Sequence, residues 1–197
     1  VEHARLLGLM IGDGCYTKNR TPTISCGDIE IINYIKDNYD CRVKKEFTQK
    51  NGRLYNEFSL RKSTNIFKNA GIYGDVKEFK KLPPNIHLYN KESLALLIGG
   101  YYDADGNITY NEKRKQVRIT LTSKYESLLR EVKMQLVKFG IHSKISKEFR
   151  KDGYKPNTYV FRLYISNYND VLRFKNNIPL LCSHKNNNLD KVVFMSK

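Results

Sequence analysis

The feature that most limits what this chain can fold into is an internal repeat. An almost wholly apolar stretch, Ala4-Arg5-Leu6-Leu7-Gly8-Leu9-Met10-Ile11-Gly12-Asp13-Gly14, has a counterpart in Leu94-Ala95-Leu96-Leu97-Ile98-Gly99-Gly100-Tyr101-Tyr102-Asp103-Ala104-Asp105-Gly106. The two Asp-Gly pairs lie 92 residues apart, and the segments after them match as well. Two segments alternating in strand fashion come first: Cys15–Asn19 and Thr21–Cys26, then Asn107–Asn111 and Gln116–Ser123. A helix comes next, marked by Ile29, Ile31, Ile32 and Ile35, or by Leu128, Leu129, Val132 and Leu136. In the next two strands Lys45-Glu46-Phe47 answers Lys147-Glu148-Phe149, and Phe58-Ser59-Leu60 answers Phe161-Arg162-Leu163. Asn51-Gly52 and Asp152-Gly153 supply hairpin turns, and each copy closes on a short helix around Ile66–Asn69 or Val171–Asn176.

The predicted class is α+β: two pseudo-symmetric αββαββα repeats built on antiparallel sheets. Residues 1–89 form the first, with a linker over roughly Gly74–Tyr89, where Leu82-Pro83-Pro84 cannot continue a helix. Residues 90–197 form the second. Two copies in one chain predict a monomer with internal pseudo-two-fold symmetry, the single-chain relative of a homodimer.

Within each opening helix small residues stand four apart, Gly8 and Gly12 in one, Gly100 and Ala104 in the other. Residues i and i+4 share a face, so each helix offers a flat strip for close approach of another backbone. The remaining faces carry Leu, Ile, Met and Tyr, as in a helix buried all round. Each helix ends in Asp followed by Gly, a residue able to take the left-handed conformation that stops a helix. A carboxylate there meets the partial negative charge of the helix terminus, and parallel packing of the two helices would set Asp13 beside Asp105. A divalent cation removes that conflict, and Mg2+ suits it as a hard ion held by carboxylates, water and phosphate oxygens. Such carboxylates facing a basic surface are the parts for metal-assisted phosphodiester hydrolysis. The plainer reading makes both Asp-Gly pairs ordinary turns. Asp103 is set apart, because its counterpart is Ile11, and is expected to cap or pair locally.

The charge identifies a class of partner. The chain carries 35 Lys+Arg against 20 Asp+Glu, net +15. Through residue 96 it holds 16 basic and 11 acidic side chains, and thereafter 19 and 9. An excess in both halves fits a long polyanion better than a basic tail does, although a lysine-rich surface without any partner gives the same count. No basic amphipathic helix speaks for a membrane surface, no apolar run is long enough to span a bilayer, and no signal peptide is expected. Val1 in place of Met fits a processed or excised piece of a longer polypeptide. Cys15, Cys26, Cys41 and Cys182 form no C-x-x-C pair and read as free thiols in a reducing intracellular setting, cytoplasm, nucleoid or organelle.

The two opening motifs resemble those of the LAGLIDADG homing endonucleases of the single-chain type, particularly intein-encoded members. The second, ending Tyr102-Asp103-Ala104-Asp105-Gly106, is the more specific; the first has Ile11 and Gly12 where the family name has Asp and Ala. The resemblance implies a DNA-binding saddle of two four-stranded sheets, with the paired motif helices between them. It implies a metal-dependent double-strand break in a long double-stranded DNA target, with Mg2+ as cofactor and Mn2+ as a substitute. It puts Asp13 and Asp105 at the metals, with Gly12 and Ala104 in the same set. It also implies one basic residue per repeat near the scissile phosphates. Lys80, in Lys80-Lys81-Leu82-Pro83, and Lys185, in Cys182-Ser183-His184-Lys185, fit that role, with Lys81 and His184 as neighbouring alternatives. Internal symmetry supports the pair, because Lys80 comes eight residues after Ile72 and Lys185 seven after Ile178. A lysine there stabilises the phosphate in transit or orients the attacking water. Asp28 and Ser123, at the ends of the second strands, are the implied water-positioning residues. Neither a splicing nucleophile at Val1 nor a terminal His-Asn is present, so protein splicing is not expected of this piece.

Strand alternation selects the residues that would face DNA. With Ile108, Ile119, Leu121, Phe161 and Leu163 turned to the core, Asn107, Thr109, Asn111, Arg118, Thr120, Thr122, Arg162 and Tyr164 point outward. In the first repeat Thr17, Asn19, Thr23, Ser25, Ser59 and Arg61 take that face. Such side chains read base edges in a major groove and equally suit a solvated sheet. An RNA-binding intron maturase, or a catalytically inactive nucleic-acid binder on the same fold, is the alternative function. A basic ribosome-associated protein has no need of two apolar helices ending in Asp-Gly.

Overall fold

The computed structural model of the chain describes residues 2–18, 20–48, 54–74, 80–150 and 157–195. Two compact units are present, Val1–Ala104 with Leu180–Ser183, and Asp105–Pro179 with His184–Lys197.

In the first unit, helix α1 (Ala4–Asp13) runs into strands β1 (Gly14–Cys15) and β2 (Thr23–Cys26), then α2 (Ile29–Asn38), β3 (Arg42–Thr48), β4 (Leu54–Ser59), α3 (Thr64–Asn69) and α4 (Lys91–Asp105), whose last residue opens the second unit. The antiparallel sheet has the order β1-β2-β4-β3. Ile24 and Phe58 turn inward with Ile31, Ile35 and Phe67 of the helices, all 1% exposed or less. The second unit continues with β5 (Gly106–Asn111), β6 (Gln116–Ser123), α5 (Glu126–Val137), β7 (Lys144–Arg150), β8 (Thr158–Ile165), α6 (Tyr168–Asn177) and α7 (Ser183–Asp190). Its sheet order is β5-β6-β8-β7. Val117, Ile119 and Leu121 alternate inward beneath Leu128, Leu129, Val132 and Leu136 of α5. Helix, two strands, helix, two strands, helix therefore occurs twice, as the repeat predicts.

Several local expectations are corrected. The strand expected over Cys15–Asn19 stops at Cys15, because Thr17 forms an isolated parallel bridge to Gly74 instead. Gly14 does not take the left-handed conformation; it is extended at φ −81° and ψ 155°. The glycines with positive φ among the described residues are Gly71, Gly74 and Gly140, so Gly106 is not left-handed either. Phe161 is only half-buried; it sits opposite Ser123, the last residue of β6, and Lys147 of β7. Helix α7 has no signal in the sequence; its Asn188 and Leu189 come after a polar run with no apolar period. The Asn51-Gly52 and Asp152-Gly153 turns, most of the linker's first half, and Asn19 lie outside the described residues.

The pairing also revises how the repeats match. Ile24 faces Gly14 and Phe58; Leu121 faces Gly106 and Leu163. Phe58 therefore corresponds to Leu163, two residues beyond the Phe161 that sequence similarity selects. A slip of two leaves every side chain on its original face, so the outward assignment on these strands stands.

Candidate active site

Helices α1 and α4 are buried on nearly all sides, α1 from Ala4 through Gly12 and α4 from Ser93 through Asp103 except for half-buried Leu96. They touch backbone to backbone. A Cβ on Gly8 would stand 2.0 Å from the Leu97 carbonyl oxygen, and one on Gly100 would stand 2.3 Å from that of Arg5. Glycine at these positions is therefore a requirement of the helix crossing.

Each helix delivers an exposed carboxylate at its end, Asp13 on α1 and Asp105 on α4. Neither helix has a basic residue in its last turn to offset the terminal negative charge. Gly14 lets the chain turn away at once: its N–H donates to the Met10 carbonyl, and a Cβ there would lie 2.5 Å from that oxygen. Lys80 supplies the missing cation at the first terminus, its Nζ donating to the carbonyl oxygen of Gly12. Gly12, which the resemblance places in the metal set, thus has its carbonyl engaged by an ammonium. Lys185 is the third residue of α7 and only 6% exposed. Asn188, one turn on, donates from Nδ2 to the Ile108 carbonyl at 2.8 Å, fastening α7 to the strand that starts directly after Asp105.

The thiol of Cys26 reports the electrostatics beside Asp13. Burial, then the charges of Asp13 and Asp28, push its pKa from 9.0 up to about 12. Asp28 thus shares the electrostatic surroundings of Asp13. Below pH 9 the thiol is neutral in folded and unfolded chains alike. Above 9 only the unfolded chain ionises, so stability declines as pH rises from about 9 towards 12. Cys26→Ala is expected to flatten that part of the alkaline profile in denaturant titrations at pH 8, 9 and 10; an unchanged slope would refute the assignment. All four cysteines are free.

Asp28 stays near this end of the site, its carboxylate within 4.8 Å of the Cys182 and His184 side chains, while the remaining residues separate. Asp28 stands at the N-terminus of α2 without a side-chain capping bond. Ser123 accepts from the Tyr125 N–H at 3.1 Å, a local turn bond. Asn111 accepts from the Arg114 N–H at 2.9 Å, which closes the β5–β6 hairpin. Thr23 pairs with Ser59 and Ser25 with Glu57; Asn107 pairs with Thr120, Thr109 with Arg118, Thr120 with Tyr164 and Thr122 with Arg162. Directly paired antiparallel residues point the same way, so each set forms one face. Arg61 leaves this pattern, because β4 ends at Ser59 and Arg61 opens a 3-10 turn. Thr17, bridged to Gly74, lies off the strands.

The sheet face of the first unit also holds residues that alternation in single strands does not select. Arg20, Arg42 and Lys44 join Thr23, Glu57 and Ser59 around an open groove of about 800 Å3. Lys44 Nζ lies 3.2 Å from Glu57 Oε1. At the corresponding place in the second unit the charges are exchanged: Arg162 on β8 pairs with Glu148 of β7 at 3.1 Å. Only strand pairing could reveal Arg42, since its neighbour Ser59 across the sheet is remote in sequence, whereas Glu57 follows from alternation with Ser59.

These elements define a class. Residues 92–179 match the LAGLIDADG-like domain. The solved structure of I-DmoI in complex with DNA and Mn superposes with a TM-score of 0.55 at 22% identity, covering 89% of this chain and 94% of that one. I-SmaMI bound to uncleavable DNA gives 0.54 at 11% identity, covering 95% and 87%. The second half of the chain is thus similar to the LAGLIDADG-like domain, and as a whole the chain has the fold of these two solved structures. In sequence it is 27% identical over 194 residues to the probable translation initiation factor IF-2 of Methanocaldococcus jannaschii, and 26% identical over 215 to the ATP-dependent DNA helicase Hel308 of the same organism. Protein RecA of Mycobacterium tuberculosis is 24% identical over 204. The chain spans only 16%, 18% and 25% of the lengths of these three relatives. No helix among the described residues is long and apolar enough to cross a membrane.

Proposed function

We propose that the chain is a site-specific endodeoxyribonuclease acting as a monomer on a long double-stranded DNA target inside the cell. The observation that carries this reading is an exposed Asp closing a buried helix in each half of the chain, with Lys80 bonded one residue before the first of them. The solved relatives with this fold hold DNA, one of them with Mn, which supports the substrate and a divalent cofactor. Repeat boundaries at residues 1–89 and 90–197 go with this reading.

Exposed carboxylates and hard oxygen donors fit Mg2+, with Mn2+ as a substitute. Asp13 and Asp105 would hold the metal, with Gly12 and Ala104 beside them. Bound there, the ion supplies a polarised phosphate and a more acidic water. Lys80 and Lys185 stabilise charge building on the phosphate, and Asp28 and Ser123 orient water. Thr23, Ser25 and Ser59 contact one arm of the target, and Asn107, Thr109, Asn111, Arg118, Thr120, Thr122, Arg162 and Tyr164 the other. A probable translation initiation factor, an ATP-dependent DNA helicase and Protein RecA carry different names, yet each matches this chain over a minor part of its own length. That pattern supports a mobile element inserted in unrelated hosts.

The test is incubation of the purified chain with plasmid libraries and Mg2+. Cutting of both strands at one locus, by a species that sediments as a monomer, is expected. Binding to intron RNA without cutting would select the maturase, and a dimer in the cutting species would overturn the single-chain reading.

A further inference from the structure

Asp103 lies two residues before Asp105 in α4 and is 1% exposed. A buried carboxylate is costly unless donors surround it, and its donors are specific. Arg5 Nη1 stands 3.3 Å from Oδ2. The Leu181 N–H donates at 2.9 Å to Oδ2 and 3.0 Å to Oδ1, and the Cys182 N–H donates at 3.1 Å to Oδ1. The next amide, of Ser183, donates to Glu30 Oε1 at 3.1 Å, and the Ser183 hydroxyl donates to the same oxygen. Three successive amides leading into α7 are thus held by two carboxylates. Negative charge at the start of a helix also complements its dipole. Lys185 comes two residues later, itself buried.

We infer that Asp103 and Glu30 are positioning residues for Lys185, clamping residues 181–183 so that α7 presents that lysine in one orientation. The inference rests on the endonuclease reading for what Lys185 does, but not for the clamp itself. The clamp is one-sided. The first motif has Ile11 at the position of Asp103, and Lys80 is instead held through its own ammonium on the Gly12 carbonyl. With one lysine serving each strand, loosening the clamp slows one cut and spares the other.

The experiment uses the full chain with Asp103→Asn, which keeps the shape and one acceptor oxygen, and Glu30→Gln, whose partner Ser183 is exposed. Amide exchange read at Leu181, Cys182 and Ser183 requires no substrate. Faster exchange there, with the rest of the chain unchanged, is expected; unchanged exchange would overturn the clamp. On supercoiled plasmid carrying the site with Mg2+, nicked circles should accumulate. A misplaced group costs up to about a hundredfold, so the cutting rate of one strand should fall about ten- to a hundredfold, with DNA affinity and the other strand's rate kept within about twofold. Equal slowing of both strands would reduce Asp103 to a structural role, and should Asp103→Asn fail to fold, Glu30→Gln must still show the bias or the inference falls. Wild-type chain that cuts no DNA while its clamp behaves as expected would instead refute the endonuclease reading.

Discussion

On the endonuclease reading, Asp13→Asn and Asp105→Asn, each made alone, should leave the chain folded and bound to DNA but unable to cut it. The substitution conserves shape while removing the charge a divalent ion needs. A loss of about 4 kcal/mol or more of transition-state stabilisation corresponds to about a thousandfold in rate. Stability moves in the opposite direction. Both carboxylates sit at helix C-termini, where negative charge is unfavourable by about 0.3–1 kcal/mol; Lys80 offsets it at the first terminus, so in metal-free buffer any rise in melting point should be smaller for Asp13→Asn than for Asp105→Asn. Cleavage assays and melting curves on the same preparations check both. Substantial cutting by either variant would remove that Asp from the metal site, and a lower melting point would mean that it stabilises the fold. Lys80→Ala should be milder, slowing cutting about a hundredfold while weakening DNA binding little.

Gly8→Ala and Gly100→Ala are expected to damage the fold itself. A new Cβ would meet carbonyl oxygens at 2.0 and 2.3 Å, and a helical carbonyl cannot rotate away as a side chain does. The helices must separate, exposing gaps along two fully packed faces. Overpacking usually costs about 1–3 kcal/mol, and with backbone on both sides the upper end or beyond is expected, about 3 kcal/mol or more. Gly74→Ala is the control. There the nearest atom to a Cβ would be 3.8 Å away, and only the φ of +89° opposes the change, a cost of about 1–2 kcal/mol. Denaturant unfolding of the three variants checks the order. Similar losses for Gly8→Ala and Gly74→Ala would refute the helix contact.

The chain alone discloses whatever its local pattern carries. Helices α1 and α4, with their terminal aspartates, announce themselves through continuous apolar runs and spaced glycines. Lys80 stands out by symmetry, and its bond to Gly12 gives that choice a physical basis. The illegible part depends on partners distant in sequence. Thr17 prefers a bridge to Gly74 over extending β1, and Arg42 joins the outward face only through its pairing with Ser59. Helix α7 owes its place to tertiary bonds from Asn188 and to carboxylates at its start, because its own run of Asn has little helical preference. For Asp103 the sequence predicts a local partner; the carboxylate meets Arg5 and also holds a segment 78 residues away.

The exchanged ion pairs make the two sheets unequal as binding faces. At matched places one sheet offers a carboxylate from its inner strand with an ammonium behind it, and the other offers a guanidinium with a carboxylate behind it. A carboxylate accepts from cytosine, and a guanidinium donates to guanine. Two arms of identical sequence, related by a dyad, would ask opposite polarities to read the same base. On the endonuclease reading, the duplicated chain has therefore given up the palindrome that a true homodimer would impose, and its preferred target is lopsided at this step.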